Sequence, residues 1–279
     1  MREIHANKIT STVKDLFIRA AFDLGADVLE AFEKGLQQEE SPVGREIFGL
    51  LIKNAALARE KRIPLCQDTG LGIIFAEVGQ EVHVTGGGLK EAIELGLRQA
   101  YDEGYLRKSV CHPLTRKNTG DNTPAVIHFD LAPGDKLRLV CVPKGGGSEN
   151  MSRVFMLKPA DGWAGIKAKV LETVSQAGPN PCPPIIVGVA VGGSYELAAK
   201  EAKKTLLRSL GTKNPDPEAA LLEAELLEGI NALGIGPQGL GGRITALGVH
   251  LKLMPCHIAS LPLAVNIQCH ASRHEEAEL

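Results

Sequence analysis

A chain of 279 residues is long enough for one large domain or two small ones, and 44% hydrophobic with 23% charged residues excludes bulk disorder. Lys and Arg (31) nearly balance Asp and Glu (33), a net charge of −2, which argues against a nucleic-acid or anionic-membrane surface as its main business. Apolar runs such as Ile185 to Val191 fall far short of the ~20 residues a membrane span needs, and Met1-Arg2-Glu3-Ile4-His5 has no secretory h-region, so a soluble, cytoplasmic protein is expected.

In chain order, Ile9 to Leu24 carries Val13, Leu16, Phe17, Ala20, Ala21 and Leu24 at helical spacing, with Ser11 or Thr12 as cap. Asp27 to Gln37 and Pro42 to Lys61 continue as helices, the latter opened by Ser41-Pro42. Gly72 to Val78 and Gln80 to Thr85 read as a strand pair, and Leu89 to Glu103 as a helix. Ala125 to Leu131 and Lys136 to Val142 read as a hairpin turned by Pro133-Gly134-Asp135. The pattern then predicts a helix over Ala164 to Gln176, a strand over Ile185 to Val191, helices over Tyr195 to Leu210 and Glu218 to Leu233, and a strand over Ile244 to Leu253. The charged tail, residues 274–279, is expected to be disordered. Together these give one α/β (α+β) domain over residues 1–273, a mixed sheet flanked by helices with an N-terminal helical layer.

Six cysteines, at 66, 111, 141, 182, 256 and 269, are too few for a disulfide scaffold, and the absence of C-x-x-C removes zinc ribbons and thioredoxin-like pairs. Cys141, in Leu137-Arg138-Leu139-Val140-Cys141-Val142, reads as a core residue. Gly234-Ile235-Gly236-Pro237-Gln238-Gly239 satisfies G-x-G-x-x-G, but a helix rather than a strand precedes it, so it reads as a glycine-rich turn. Lys144-Gly145-Gly146-Gly147-Ser148-Glu149-Asn150 offers backbone N–H groups to an anion or forms a tight turn; the sequence leaves both open.

Cys66-Gln67-Asp68 sets a thiol, an amide and a carboxylate on consecutive residues between a helix and a strand. Asn180-Pro181-Cys182-Pro183-Pro184 and Gln268-Cys269-His270 carry two further loop cysteines. Three isolated thiols suit a cubane cluster with one iron free of protein ligand, but a zinc site or three structural thiols would have the same spacing.

These runs, together with Thr85-Gly86-Gly87-Gly88, Asn118-Thr119-Gly120-Asp121-Asn122-Thr123-Pro124-Ala125 and Pro255-Cys256-His257-Ile258-Ala259-Ser260, resemble the iron–sulfur class I fumarases and L-tartrate dehydratases, specifically the α subunit of the two-subunit forms. The resemblance implies a [4Fe–4S] cluster on Cys66, Cys182 and Cys269. It implies an acid/base role for Asp68, and contacts to substrate carboxylates from Gln67, Arg107, Gly147 and His257. The family's catalytic threonine and further Arg and Lys residues belong to a domain absent here, so a separate β subunit, as α2β2, is expected to complete the site. The expected activity is hydration of a C4-dicarboxylate, fumarate to L-malate, with L-tartrate dehydration as the alternative. A non-catalytic metal- or anion-binding protein is the reading from another class.

Overall fold

His5 ends a short strand, β1 (Arg2–His5), and its side chain accepts from the Asn7 amide at 3.2 Å. That cap starts the first helix, α1 (Ala6–Phe22), ahead of Ser11 and Thr12. The computed structural model describes residues 1–279. After α1 come α2 (Ala26–Gln38), α3 (Pro42–Lys61), β2 (Leu71–Gly79), β3 (Val82–Thr85) and α4 (Leu89–Glu103). Next are β4 (Val126–Ala132), β5 (Leu137–Lys144), α5 (Gly146–Glu149), β6 (Arg153–Leu157) and α6 (Gly162–Ala177). The remainder is β7 (Ile185–Gly193), α7 (Tyr195–Thr205), α8 (Pro217–Asn231), β8 (Ala246–Cys256), β9 (Leu261–Gln268) and β10 (Glu275–Glu278). The fold is α/β with mixed sheets. Contacts divide the chain into two compact units, one of Met1–Leu24, Ala55–Gly146 and Arg273–Leu279, the other of Gly25–Asn54 and Gly147–Ser272.

The first unit is built on a sheet of order β10-β5-β2-β4. Its core joins Ile9, Val13, Leu16 and Phe17 of α1 to Ile93, Leu97 and Tyr101 of α4 and to Ile74, Leu139 and Cys141 of the sheet. The expected hairpin of β4 and β5 does not form, because β2 lies between them, parallel to β4 and antiparallel to β5. The reason is burial: β2 is almost wholly buried apolar residues and takes a central place, while β4 leaves Val126, Phe129 and Leu131 exposed at the edge. The turn joining β4 to β5 therefore arches over the end of β2. Gly79, Gln80 and Glu81 donate to the carbonyls of Lys136, Ala132 and Gly134, and a Cβ on Gly79 would collide with the Gly134 carbonyl.

The second expected pair fails as well. β3 runs parallel to β1 in a separate two-stranded sheet, so β2 and β3 are not partners. The C-terminal segment expected to be disordered is also corrected: β10 pairs antiparallel with β5, and Leu279 is buried. Its charges match their surroundings, Glu275 with Arg19 at 3.6 Å, Glu276 with Arg138 at 2.5 Å, and Glu278 with Lys136.

The second unit holds a sheet of order β6-β9-β7-β8. α6 and α8 cover one face through Ile166, Val170, Leu226 and Ile230 against Val187, Val189, Leu251 and Val265. α7 covers the other through Ala198 and Ala202 on Ala190 and Ala264. Here too the central strand separates two strands consecutive in sequence: β7 is parallel to β8 and antiparallel to β9. The outer strand β6 is antiparallel to β9, as β10 is to β5. Strand for strand, the two four-stranded sheets share one topology, and only the place of the outer strand in the chain differs.

Candidate active site

In the first unit the segment entering β2 is a loop tied down residue by residue. The Asp68 amide donates to Cys66 Sγ at 3.4 Å. The Asp68 carboxylate accepts at both oxygens, from the Gly70 amide at 3.0 Å and the Gly146 amide at 2.7 Å. Gly70, at φ +80°, lies against the Lys144 backbone, where a Cβ would sit 2.7 Å from the Lys144 carbonyl carbon. Thr69 Oγ1 donates to the Arg107 carbonyl at 2.9 Å, which brings Arg107 beside this loop at the end of α4. Buried Asn122 accepts from the Ser109 and Val110 amides and donates to the Gly70 carbonyl. Gln67 and the Arg107 side chain face solvent, Cys66 and Asp68 are half-buried, and the Arg107 guanidinium has no intramolecular partner. The first unit thus assembles Cys66, Gln67, Asp68 and Arg107.

The second unit presents the corresponding positions of its own sheet. Cys182 precedes the central strand β7 and Cys269 follows β9, as Cys66 precedes β2 and the glycines from Gly145 follow β5. The backbone amide of His270 donates to the Cys182 carbonyl, and its Nδ1 is 3.0 Å from the same oxygen. Gln268 Nε2 donates to Cys269 Sγ at 3.8 Å. Gly147 is exposed, and a Cβ there would touch the Asn180 carbonyl at 3.1 Å, so Gly147 adjoins the Cys182 loop. The glycine-rich turn after α8 braces that loop: Gln238 donates from both its amide and its side chain to the Pro183 carbonyl, each at 2.7 Å. That turn runs from α8 to β8, not from a strand into a helix as a dinucleotide-binding turn does.

His257 stands apart. It occupies the exposed turn between β8 and β9, where its Nδ1 accepts from the Ala259 amide at 3.1 Å. Cys256 is in register with Gly193 at the far end of β7, whereas Gln268 pairs with Ile186 at its beginning. A strand of nine residues separates these ends, on the order of 25 Å. Within its own unit His257 is therefore not brought to Cys182 and Cys269.

The six cysteines sort by environment. None forms a disulfide. Cys141 is fully buried, and burial pushes its thiol up, so it remains a protonated core group. Cys256 Sγ donates to the Ser260 carbonyl at 3.2 Å. Cys66 and Cys269 donate as well, to Gln67 Oε1 at 3.6 Å and to the Ala271 carbonyl at 3.8 Å, but each also receives an N–H donor at sulfur, a bond that a thiolate ligand keeps; Cys182 is exposed on a loop, and the three thiols fit an iron–sulfur cluster. Neither unit by itself gathers three or more His, Cys, Asp or Glu side chains into a metal-holding group.

Thr69, Tyr101, Asn122 and Arg273 organise the first loop without any local signature that marks them in the sequence. Thr69, in Cys66-Gln67-Asp68-Thr69-Gly70, and Asn122 lie inside runs carrying the family resemblance, and Tyr101 does not. No helix is long and apolar enough to cross a membrane.

The sequence model of the family described as Fumarate hydratase (Fumerase) matches residues 10–278. A protein of Methanocaldococcus jannaschii named putative L(+)-tartrate dehydratase subunit alpha is 46% identical over 272 residues, covering 95% of each chain. Proteins named L(+)-tartrate dehydratase subunit alpha are 33% identical in Escherichia coli O157:H7 and 32% in strain K12, each covering 96% of this chain and 89% of the relative. With nearly its whole length matched, the chain belongs to the fumarate hydratase (Fumerase) family of hydro-lyases.

Proposed function

We propose that the chain is the cluster-bearing α subunit of a two-subunit fumarate hydratase that interconverts fumarate and L-malate. The observation that carries this reading is the loop at the start of β2, where a thiol, an amide and a doubly anchored carboxylate occupy three consecutive residues. Cys66, Cys182 and Cys269 would hold a [4Fe–4S] cluster, which when bound supplies a Lewis-acidic iron without a protein ligand.

The chain's own residues do the rest of its share. Each Asp68 oxygen spends one lone pair on a backbone amide and keeps another, so the carboxylate can hold or return a proton at a fixed position. Arg107, with an unpaired planar guanidinium, can take a substrate carboxylate bidentately, and Gln67 can donate to the same group. Gly147 offers a backbone N–H with no side chain in the way. A contribution from His257 calls for a second copy of the chain, since within its own unit it lies at the far end of the sheet; this accords with an α2β2 assembly. A β subunit supplies the groups this chain lacks.

The second reading is L-tartrate dehydration, favoured by the names of the relatives at 46%, 33% and 32% identity. Anaerobic co-expression with candidate β subunits, assayed on both substrates, separates the two. Fumarate hydration with little L-tartrate turnover is expected; the converse replaces the first reading with the second. A colourless protein holding zinc and turning over neither substrate would sink both and leave a non-catalytic metal-binding protein.

A further inference from the structure

Arg273 is among the largest fully buried side chains of the molecule, 2% exposed. Its Nη2 donates to the Asp68 carbonyl at 2.8 Å, while Nε and Nη1 are buried without a hydrogen-bond partner. A buried cation bonded on one side only is unfavourable, and an apolar side chain of similar volume would fill the space without that penalty. The guanidinium therefore answers a need of the loop it touches. Three consecutive carbonyls there are each taken by a buried side-chain donor remote in sequence. Asp68 O accepts from Arg273, Thr69 O from the single Tyr101 hydroxyl hydrogen at 2.5 Å, and Gly70 O from Asn122 at 3.2 Å with the same Tyr101 oxygen 2.9 Å away. Of the three donors Arg273 alone is charged, and it has N–H groups to spare.

We propose that Arg273 is a positioning residue: it fixes the Cys66–Gly70 loop through the Asp68 carbonyl and keeps a positive charge beneath a loop whose occupants are anionic. The second half of this statement rests on the proposed dicarboxylate substrate; the first half does not.

The test uses the full chain carrying Arg273→Met or Arg273→Lys, with amide hydrogen exchange read at single residues in the absence of the cluster. Gly70 and Gly146, whose N–H groups bond the Asp68 carboxylate, should exchange about tenfold faster in either variant, while Ile74 to Ala76 in β2 stay unchanged. Arg273→Lys keeps the charge and the aliphatic stem, so it carries the experiment if Arg273→Met fails to fold. In the two-subunit enzyme Arg273→Lys should lower kcat about tenfold with KM within about twofold, and Arg273→Met should raise KM as well. Unchanged exchange at Gly70 and Gly146 in a folded variant overturns the positioning role, and so does equal acceleration in β2, which would mean general destabilisation. Equal KM values for the two variants overturn the role of the charge. If the unsubstituted complex turns over neither substrate but the exchange result holds, the proposed function fails and the anchoring stands.

Discussion

The Asp68 carboxylate accepts one backbone N–H at each oxygen, so replacing it with Asn is less neutral than its shape suggests. The Asn side chain has a single acceptor oxygen and would point its NH2 at either the Gly70 or the Gly146 amide. Leaving that amide unpaired should cost about 1–3 kcal/mol. If Asp68 transfers a proton, Asp68→Asn should also reduce kcat of the reconstituted enzyme by roughly 10²–10⁴ with a smaller change in KM. Chemical denaturation and steady-state kinetics on the same preparation separate the two effects; a loss of stability with kcat intact would reduce Asp68 to a loop-ordering group. Cys182 offers a different separation. At φ +54° it sits in the left-handed region that disfavours every residue with a Cβ. Cys182→Gly should therefore leave thermal stability equal or slightly higher while iron retention after anaerobic reconstitution falls to background. Retained iron would remove Cys182 from the ligand set.

At the scale of elements, Glu39 joins the turn between α2 and α3 to the segment entering β8. Its carboxylate is buried and accepts from the amides of Glu40, Ser41 and Arg243, each at 2.9 Å, and of Ile244 at 2.8 Å. Burial pushes its carboxyl up, but the four N–H bonds outweigh burial and hold it below the usual 4.5. A depressed carboxyl stabilises the fold above its unfolded-state value, and that stability is lost as pH falls through the folded one. Glu39→Gln should thus cost about 2–3 kcal/mol at pH 7, and the gap between the two proteins should narrow progressively below pH 4.5. Urea melts at pH 7 and at acid pH measure it; a gap independent of pH would contradict the account. Elements with a strong helical period were legible from sequence: α3 and α4 have the bounds their spacing predicts. Strand partners were not, because nearest-neighbour turn chemistry favours a hairpin over residues 125–142 and carries no information about β2, inserted from fifty residues upstream. β10 was hidden for a related reason: Glu275, Glu276 and Glu278 look like a solvated tail until Arg19, Arg138 and Lys136 are brought opposite them.

For the whole molecule, candidate residues fall at equivalent points of two like sheets, before the central strand and after its antiparallel neighbour. The motifs themselves could be read in the sequence, but this equivalence could not, since it depends on strand order. The chain by itself, purified anaerobically with its cluster, should hydrate fumarate negligibly, because electrostatic and acid/base groups from the β subunit would each supply factors of ~10² or more. Robust turnover by the isolated chain would contradict a shared site.

The strand β10 and the buried Leu279 have a consequence for how the protein comes into being on the ribosome. The first unit owns helix α1, yet the outer strand of its sheet is synthesised only after the whole of the second unit. Until then the apolar edge of β5 is open, and every residue from Gly147 to Ser272 must emerge before it can be closed. At elongation rates of about 5–20 residues per second, that leaves an uncapped sheet edge on the nascent chain for several seconds or more. The second unit, whose sheet is complete at β9, can finish first, although its partner began earlier.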